Sequence, residues 1–528
     1  MAQDVQVPGG FIQYHEPDII QTLVLISFFL WLSVGEWLSN KVFRAGLIGQ
    51  IIVGLIYGAP IGGNVMPIAW QETFIALGYI GLILIIFEGA MAVRLDLLKV
   101  NFLLSLVAAS IGVIMPIALS YLVLYLGFGY EAIETFIIGA ALSVTSLGTT
   151  FIVIGKASKD VNFSNTKVGS VLVSAAVFDD VSGLVMASVI DRLGDISGDS
   201  NVNLGWMIGR PNLASGLLAI LTPVVTKWAI APLFRSYVEP HFPRHKHVAN
   251  VLFMVSILCA FLSIAAFAGT SVLFGSFLAG TFLTYLPSKH LEGPFVVPSR
   301  EEAEQLQGKS PTFMHTFEKY FLDAQQYLMQ PLFFASIGFA IPFKRLWTGE
   351  AIWKGLVFAI LTMIGKVAVG FIVPLWDIST RPRGTSIRAA VRDAFWPSML
   401  LGFAMVARGE IGLLVVQIGL NKTPYLSEAA FITAVWAIVL NTIIGPVTVG
   451  FVVKYKAQVI ADGTWGIQRE PTRPSSRSLY SVRTDRTVAN SVVDVDIEVG
   501  EQEAGKQEAR KQVSAEQAVE AGVETRGA

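Results

Sequence analysis

The chain has 528 residues, of which 53% are hydrophobic and only 15% are charged, and its mean hydropathy is +0.60. Soluble globular proteins carry roughly 25% charged residues, so this composition indicates a protein whose solvent is lipid. The formal net charge of −1 gives no reason to expect a nucleic acid as a partner. A single cysteine, Cys259, excludes an intrachain disulfide and any metal site built from several cysteines.

The chain begins with a polar segment and continues with a series of long apolar runs. Residues 1–18 lack the basic start of a cleavable signal, so we expect a retained extracellular segment. A spanning helix needs about 20 mainly apolar residues, and thirteen runs approach this length, although twelve or fourteen spans also fit. The predicted spans are 19–38, 45–60, 72–91, 101–127, 132–155, 168–190, 212–234, 248–268, 270–286, 326–343, 351–375, 395–420 and 427–453.

The distribution of basic residues predicts the orientation in the membrane. Lys and Arg concentrate in alternate connections, whereas residues 127–131 and 268–271 contain none. Lys344 and Arg345 break the alternation. Because cytoplasmic loops are enriched in Lys and Arg, the pattern predicts a multi-pass protein with its N-terminus outside and its C-terminus in the cytoplasm. The plasma membrane is the expected location.

The composition changes near residue 456. From there the chain mixes Arg with Ser, Thr and Pro and later Glu, Lys, Gln and Ala, with few large apolar residues. Such a segment cannot offset its ordering entropy by burial. We therefore expect a transmembrane domain over 19–455 and a disordered cytoplasmic tail over 456–528.

Two adjacent carboxylates, Asp179 and Asp180, stand in the middle of the sixth predicted span. A charge inside a membrane helix costs at least a few kcal/mol, so it needs a functional or a pairing explanation. Neighbouring residues on a helix project about 100° apart, so one acid can meet a partner while the other faces a cavity. Protons and a hard cation such as Na⁺ compete for carboxylate oxygens. The two aspartates therefore predict a site that protons and the cation occupy in turn. The other interpretation is that these residues lie at a helix end in water.

A basic residue, Lys366, lies within the apolar stretch 360–370 of the eleventh predicted span. Its depth makes it hard for the ammonium to reach water, so its natural partner is Asp179 or Asp180. A lysine that does extend to the interface is the alternative.

Two predicted spans contain polar interruptions. In the twelfth, Arg408 and Glu410 are flanked by glycines, and in the fifth a counterpart includes Thr145 and Ser146. Interrupted segments in corresponding halves point to a transporter binding site. They lie seven spans apart, and this odd offset gives them opposite orientations, as inverted repeats require. Hydroxyl groups that only pack between helices are the alternative for Thr145 and Ser146.

These residues resemble the monovalent cation:proton antiporters, in particular the branch of the bacterial NapA and Kef-type sodium/proton exchangers. Residues 46–54 are similar to the helix-two signature of that branch, Asp179 and Asp180 to its paired aspartates, and residues 408–410 to its late-helix motif. Lys366 falls on the helix that carries a basic partner in such proteins. The resemblance covers about residues 20–455.

The resemblance implies an all-α membrane protein of about 13 transmembrane helices, with inverted repeats and two discontinuous crossing helices. It further implies a homodimer in which a moving core, near 101–190 and 351–453, shifts like an elevator against a dimerisation scaffold. The expected partners are monovalent cations, protons and the lipid bilayer. An enzymatic activity or a cofactor is not expected.

The resemblance also assigns roles to residues. Asp180 would be the main ion-binding and proton-carrying acid, and Asp179 would pair with Lys366 when no cation is bound, so that both acids serve as Na⁺ ligands. The crossing segments, with Thr145, Ser146, Arg408 and Glu410, would line the site. Paired-aspartate antiporters are usually electrogenic.

Several functions stay open. The segment after the last span lacks the nucleotide-binding domain of Kef-type proteins, which favours exchange of Na⁺ or Li⁺ over K⁺ efflux. A K⁺/H⁺ antiporter and a Na⁺-coupled organic-anion symporter of related fold are the alternatives. A membrane protease needs aspartates from separate helices, whereas these two are neighbours.

Overall fold

The computed structural model describes most of the apolar part of the chain. The described residues are 16, 18–58, 61, 65–91, 101–146, 163, 166–194, 204–238, 242–287, 312–380 and 387–466. They belong to the first of two compact units, Met1–Gln468. The second unit, Arg469–Ala528, lies outside the described residues, as do the predicted extracellular segment up to residue 15 and the end of the polar interruption at 147–150.

The regular structure in these ranges is helical, apart from a single bridge residue at Thr166. Turns of π-helix interrupt or extend several helices, for example at Tyr121–Tyr125 and at Gln325–Met329. The helices are α1 (Ile19–Phe43), α2 (Gly46–Tyr57), α3 (Ile68–Met91), α4 (Phe102–Ser120), α5 (Ala132–Ser143), α6 (Lys167–Gly194), α7 (Leu204–Val225), α8 (Phe242–Ala268), α9 (Val272–Tyr285), α10 (Phe313–Tyr320), α11 (Gln330–Phe339), α12 (Gly349–Val367), α13 (Ile372–Thr380), α14 (Ile387–Ala404), α15 (Glu410–Lys422) and α16 (Glu428–Asp462).

The surface of the helical bundle suits lipid. Among the described residues, eight helical segments are long and apolar enough to cross a membrane, and α2, α5 and α9 are shorter apolar helices. Large apolar side chains such as Leu30, Trp228 and Phe267 are more than half exposed. In water such wide apolar faces would drive association, but in a bilayer they contact lipid tails.

The helices pack in two groups. One group consists of α1, α2, α3, α8, α9 and α11, which contact mainly one another. The other consists of α4, α5, α6 and α12 to α16. Helix α7 packs on α6 and α9 and so lies between the groups. The ionisable residues predicted to form the site all belong to the second group.

The helix that ends the described chain is longer than the sequence predicts. The predicted boundary at residue 455 falls inside α16, which continues to Asp462, so assigning residues 456–466 to the disordered tail is wrong. Trp465 is fully buried and donates its Nε1–H to Asp377 at 3.2 Å. The backbone nitrogen of Lys167 donates to the carbonyl of Gly466 at 2.9 Å. Hydropathy falls here because the exposed residues Gln458, Asp462 and Thr464 alternate with buried ones, and the sequence pattern shows the fall and not the packing.

Candidate ion-binding site

A buried ion pair lies at the centre of the second helix group. The ammonium Nζ of Lys366, on α12, is 2.6 Å from Oδ2 of Asp179, on α6. Both side chains are fully excluded from the surface. Two charges at this depth are stable together, whereas either alone would be an uncompensated buried charge.

The hydroxyl group of Thr145 joins both members of the pair. It donates to Oδ2 of Asp179 at 2.7 Å and accepts from Nζ of Lys366 at 2.8 Å. Thr145 belongs to the non-helical segment that follows α5, so three elements converge on one carboxylate oxygen. The Thr145 hydroxyl therefore makes two polar contacts and does more than pack between helices.

The segment that carries Thr145 crosses a second interrupted helix. Helix α5 ends at Ser143, and the chain between α14 and α15 is non-helical over residues 405–409. The backbone nitrogen of Ser146 donates to the carbonyl of Ala407 at 2.8 Å. A Cβ on Gly409 would stand 2.5 Å from the Cβ of Ser146, so the crossing requires glycine at this position. Half-helix ends, which carry partial charges, therefore meet beside the ion pair.

Arg408 holds a positive charge inside this crossing. Its side chain is fully buried, and its Nη1 donates to the carbonyl of Val144 at 3.0 Å. Its Nε and Nη2 atoms have no hydrogen-bond partner among the described residues. Thr442, on α16, donates its hydroxyl to the carbonyl of Arg408 at 2.9 Å and so ties the crossing to the last helix. Arg408 is thus placed to act on the site through its charge.

The second aspartate, Asp180, is half-buried and lies outside the ion pair. It forms no hydrogen bond or ion pair with any residue in the described ranges, although its charge interacts with those of Glu410, Asp179 and Lys366. Glu410 is also half-buried and is the first residue of α15. The two aspartates therefore differ in surroundings, since one is held by a cation of the protein and the other is available.

The second carboxylate oxygen of Asp179 takes no part in the ion pair. This Oδ1 atom is buried and has no hydrogen-bond partner among the described residues. Gly112, on α4, lies against it: a Cβ there would be 3.3 Å from Oδ1 and 3.3 Å from Nζ of Lys366. Carboxylate oxygens of this kind are the ligands that hard cations prefer. The arrangement can bind either protons or a small cation.

The structure thus brings Asp179, Lys366 and Thr145 into direct contact and places Ser146 and Arg408 at the adjacent crossing. Asp180 and Glu410 lie near this cluster without a direct bond to it. The sequence interpretation did not include Gly112 or Thr442, which carry no charge. Their only signal is a small or polar residue in an apolar span, and many such residues merely pack helices.

Comparison with known proteins gives the family. The profile described as "Sodium/hydrogen exchanger, transmembrane" matches residues 24–455. The chain belongs to the sodium/hydrogen exchanger family. It is accordingly an integral multi-pass membrane protein and a cation/proton antiporter, as the resemblance to monovalent cation:proton antiporters predicted.

Individual relatives are distant but extend over most of the chain. The Na⁺/H⁺ antiporter of Enterococcus hirae is 24% identical over 80% of this chain and 95% of its own length. The Na⁺/H⁺-K⁺ antiporter GerN of Bacillus cereus is 23% identical over 78% of this chain and 90% of its own. The solved structure of the sodium proton antiporter MjNhaP1 from Methanocaldococcus jannaschii matches with a TM-score of 0.52 at 18% identity, covering 81% of this chain and 99% of that one. This structural likeness shows that the fold is shared.

Proposed function

We propose that the chain exchanges Na⁺ or Li⁺ for protons, with Asp180 as the main ion-binding and proton-carrying acid. The observation that carries the proposal is the fully buried pair of Lys366 and Asp179 beside the half-buried, unpaired Asp180. One acid is neutralised by the protein itself, and the other is free to take a proton or a cation. No cofactor or enzymatic step is needed for this exchange.

The contacts suggest a cycle. A cation binds to the carboxylate of Asp180 and draws in the free Oδ1 of Asp179, which weakens the hold of Asp179 on Lys366. When protons are abundant they occupy the same carboxylates and expel the cation. Because both ions need the same oxygens, each turn of the cycle exchanges one for the other. Arg408 stabilises the negative state of the site through its buried charge.

The packing supports an elevator-type movement of a core against a scaffold. Helices α4, α5 and α6 form one set and α12 to α16 a second, and each set contains one interrupted helix. These sets coincide with the expected core near 101–190 and 351–453. If the shorter and interrupted helices also span the bilayer, about thirteen spans result. We propose that this core shifts as a body and that the first helix group is the dimerisation scaffold of a homodimer.

The nature of the cation is part of the proposal. The relatives' names mention Na⁺, and the name of GerN also mentions K⁺. A site built from two carboxylates with a protein cation beside them suits a small monovalent ion. Because the name of GerN also mentions K⁺, K⁺/H⁺ exchange is the second candidate. We place the protein in the plasma membrane with its N-terminus outside and its C-terminus in the cytoplasm.

A transport assay in proteoliposomes tests the proposal. A trapped pH dye reports proton movement when NaCl, LiCl or KCl is added to vesicles with a preset pH gradient. We expect Na⁺ or Li⁺ to dissipate the gradient with the native chain and not with Asp180→Asn. Asp191→Asn is the matched control, because Asp191 lies on the same helix and forms an exposed pair with Lys422. If none of the alkali cations drives proton movement through the native protein, the proposal is refuted.

A further inference from the structure

An asparagine in the last helix has an unused hydrogen-bonding atom deep in the protein. Asn441, on α16, is fully buried. Its Nδ2 donates to the hydroxyl oxygen of Thr362 at 2.9 Å, and its Oδ1 has no hydrogen-bond partner among the described residues. A buried acceptor without a donor destabilises the folded protein, so its presence calls for an explanation.

The orientation of this amide group is fixed by its neighbour. The hydroxyl group of Thr362 donates to the carbonyl of Phe358 at 2.9 Å, so its single proton is already in use. The hydroxyl oxygen can then only accept from Asn441, and the NH₂ group must face it. The amide oxygen of Asn441 is therefore the atom that has no partner.

Asn441 contacts α12 at Thr362, on the face of the helix that also carries Lys366. Thr362 and Lys366 are four residues apart and so share one face of the helix. Side chains of a helix lean toward its N-terminus, which directs the long lysine chain back over the turn of Thr362. The ammonium group carries three N–H bonds, of which two meet Asp179 and Thr145. An unused acceptor on α16 therefore meets the same face of α12 from which the lysine side chain extends.

We propose that Asn441 receives the ammonium group of Lys366 when a cation displaces it from Asp179. This inference rests on the proposed function, because it names what becomes of the protein's own cation during exchange. A displaced ammonium in a dry site without an acceptor would oppose cation binding strongly. The amide oxygen lowers that cost without holding the lysine permanently, as a carboxylate would. Asn441 is a positioning residue that acts through Lys366.

Two substitutions of similar shape change this acceptor in opposite directions. Asn441→Leu removes the oxygen, so the displaced ammonium is less stable and the KM for Na⁺ should rise by about tenfold, the usual effect of losing one hydrogen bond to a charged group. Asn441→Asp strengthens the acceptor, so the KM should fall by a few-fold. The exposed Asn421, which bonds Gln417, provides Asn421→Leu as the control with unchanged KM.

The lysine dependence separates this role from mere packing. In a Lys366→Gln background the change Asn441→Leu should leave the Na⁺ affinity unaltered, measured as KM or as the Na⁺-dependent rise in melting temperature. Equal shifts of KM in both Asn441 variants, no shift in either, or an undiminished effect without Lys366 would overturn the inference. Should Asn441→Leu not fold, the sign of the shift in Asn441→Asp decides alone. Absence of Na⁺-driven proton movement in the native chain would instead refute the proposed function.

Discussion

Two lysine–aspartate pairs in this protein share one geometry and differ in their surroundings. Lys366 and Asp179 are 2.6 Å apart and fully buried, and Lys422 and Asp191 are also 2.6 Å apart but 60% and 41% exposed. Water screens the second pair, while the first is surrounded by protein. Burial therefore decides how much each ion pair contributes to the stability of the protein.

The two pairs allow a direct comparison of stability. We expect Lys366→Met to lower the free energy of unfolding by about 3–5 kcal/mol, because it leaves Asp179 buried without a counter-charge. Lys422→Met should cost about 0–1 kcal/mol. Chemical denaturation of the purified protein in detergent measures both. The double variant Lys366→Met with Asp179→Asn should recover part of the loss; equal losses in the two single variants would contradict the account.

The glycine at residue 112 leaves no room for a larger side chain beside the ion pair, and this predicts an effect on cation binding. Gly112→Val puts a branched side chain where a Cβ alone stands 3.3 Å from both Asp179 Oδ1 and Lys366 Nζ. Overpacking of this kind costs about 1–3 kcal/mol, so we expect the KM for Na⁺ to rise about tenfold or more. The control is Gly216→Val on α7, where a Cβ meets nothing within 4 Å. An unchanged KM in Gly112→Val would remove Gly112 from the site.

At the scale of helices, the end of α16 joins the start of α6, the helix that carries both aspartates. Trp465 lies under the ammonium group of Lys167, with Nζ 4.5 Å from the centre of the ring, and donates to Asp377 beyond α12. Backbone bonds from Lys167 and Val168 to Gly466 and Trp465 complete the junction. The junction fixes one end of α6 to the remainder of the core.

Loss of this indole should loosen the junction. We expect Trp465→Ala to reduce stability by about 3–5 kcal/mol, the usual cost of truncating a buried aromatic residue. Cleavage by a soluble protease should increase near residues 456–466, and peptide mapping after limited proteolysis detects it. Tyr455→Ala, at a side chain that is 67% exposed, is the control. An unchanged cleavage pattern in Trp465→Ala would show that the junction does not hold the end of α16.

The helical class was predicted correctly from the sequence, and the sequence also singles out the charged residues of the candidate site for a physical reason. Asp179, Lys366 and Arg408 are costly in lipid, so their positions stand out in an apolar chain. Asn441, Thr442 and Gly112 are uncharged, and only their contacts reveal what they do.

The end of α16 was missed for a related reason. Hydropathy falls where a helix leaves the lipid, and it says nothing of whether the chain beyond is packed. Trp465 is an isolated apolar residue in a polar stretch, and its burial depends on Asp377, which lies far away in sequence. A hydropathy pattern contains no information about which distant residues come into contact in the folded protein.

At the scale of the whole molecule, the charge carried per cycle follows from the groups at the site. The pair of Lys366 and Asp179 is neutral, so Asp180 gives the empty cluster of three a charge of about −1. One bound Na⁺ neutralises it, whereas two protons on the same groups leave it positive. If two protons return for each cation, every cycle moves net charge.

Exchange should therefore respond to the membrane potential. A potential of 100 mV is worth about 2.3 kcal/mol for each charge moved, enough to change the rate several-fold. We expect Na⁺-driven proton movement in proteoliposomes to differ clearly between a K⁺ gradient with valinomycin and a clamped potential. Vesicles without protein control for leak. A rate that ignores the potential would show electroneutral exchange and refute a stoichiometry of two protons per cation.

If protons and the cation occupy one carboxylate cluster in turn, the pH dependence of the KM for Na⁺ reports it most directly. Initial rates of Na⁺-driven proton movement should be measured over a range of Na⁺ concentrations at each of several pH values. If both ions compete for Asp180 and Asp179, the KM for Na⁺ rises as the pH falls, while the maximal rate at saturating Na⁺ changes little over the same range. A KM that is independent of pH, with only the maximal rate changing, would contradict a shared site and place the proton elsewhere in the molecule.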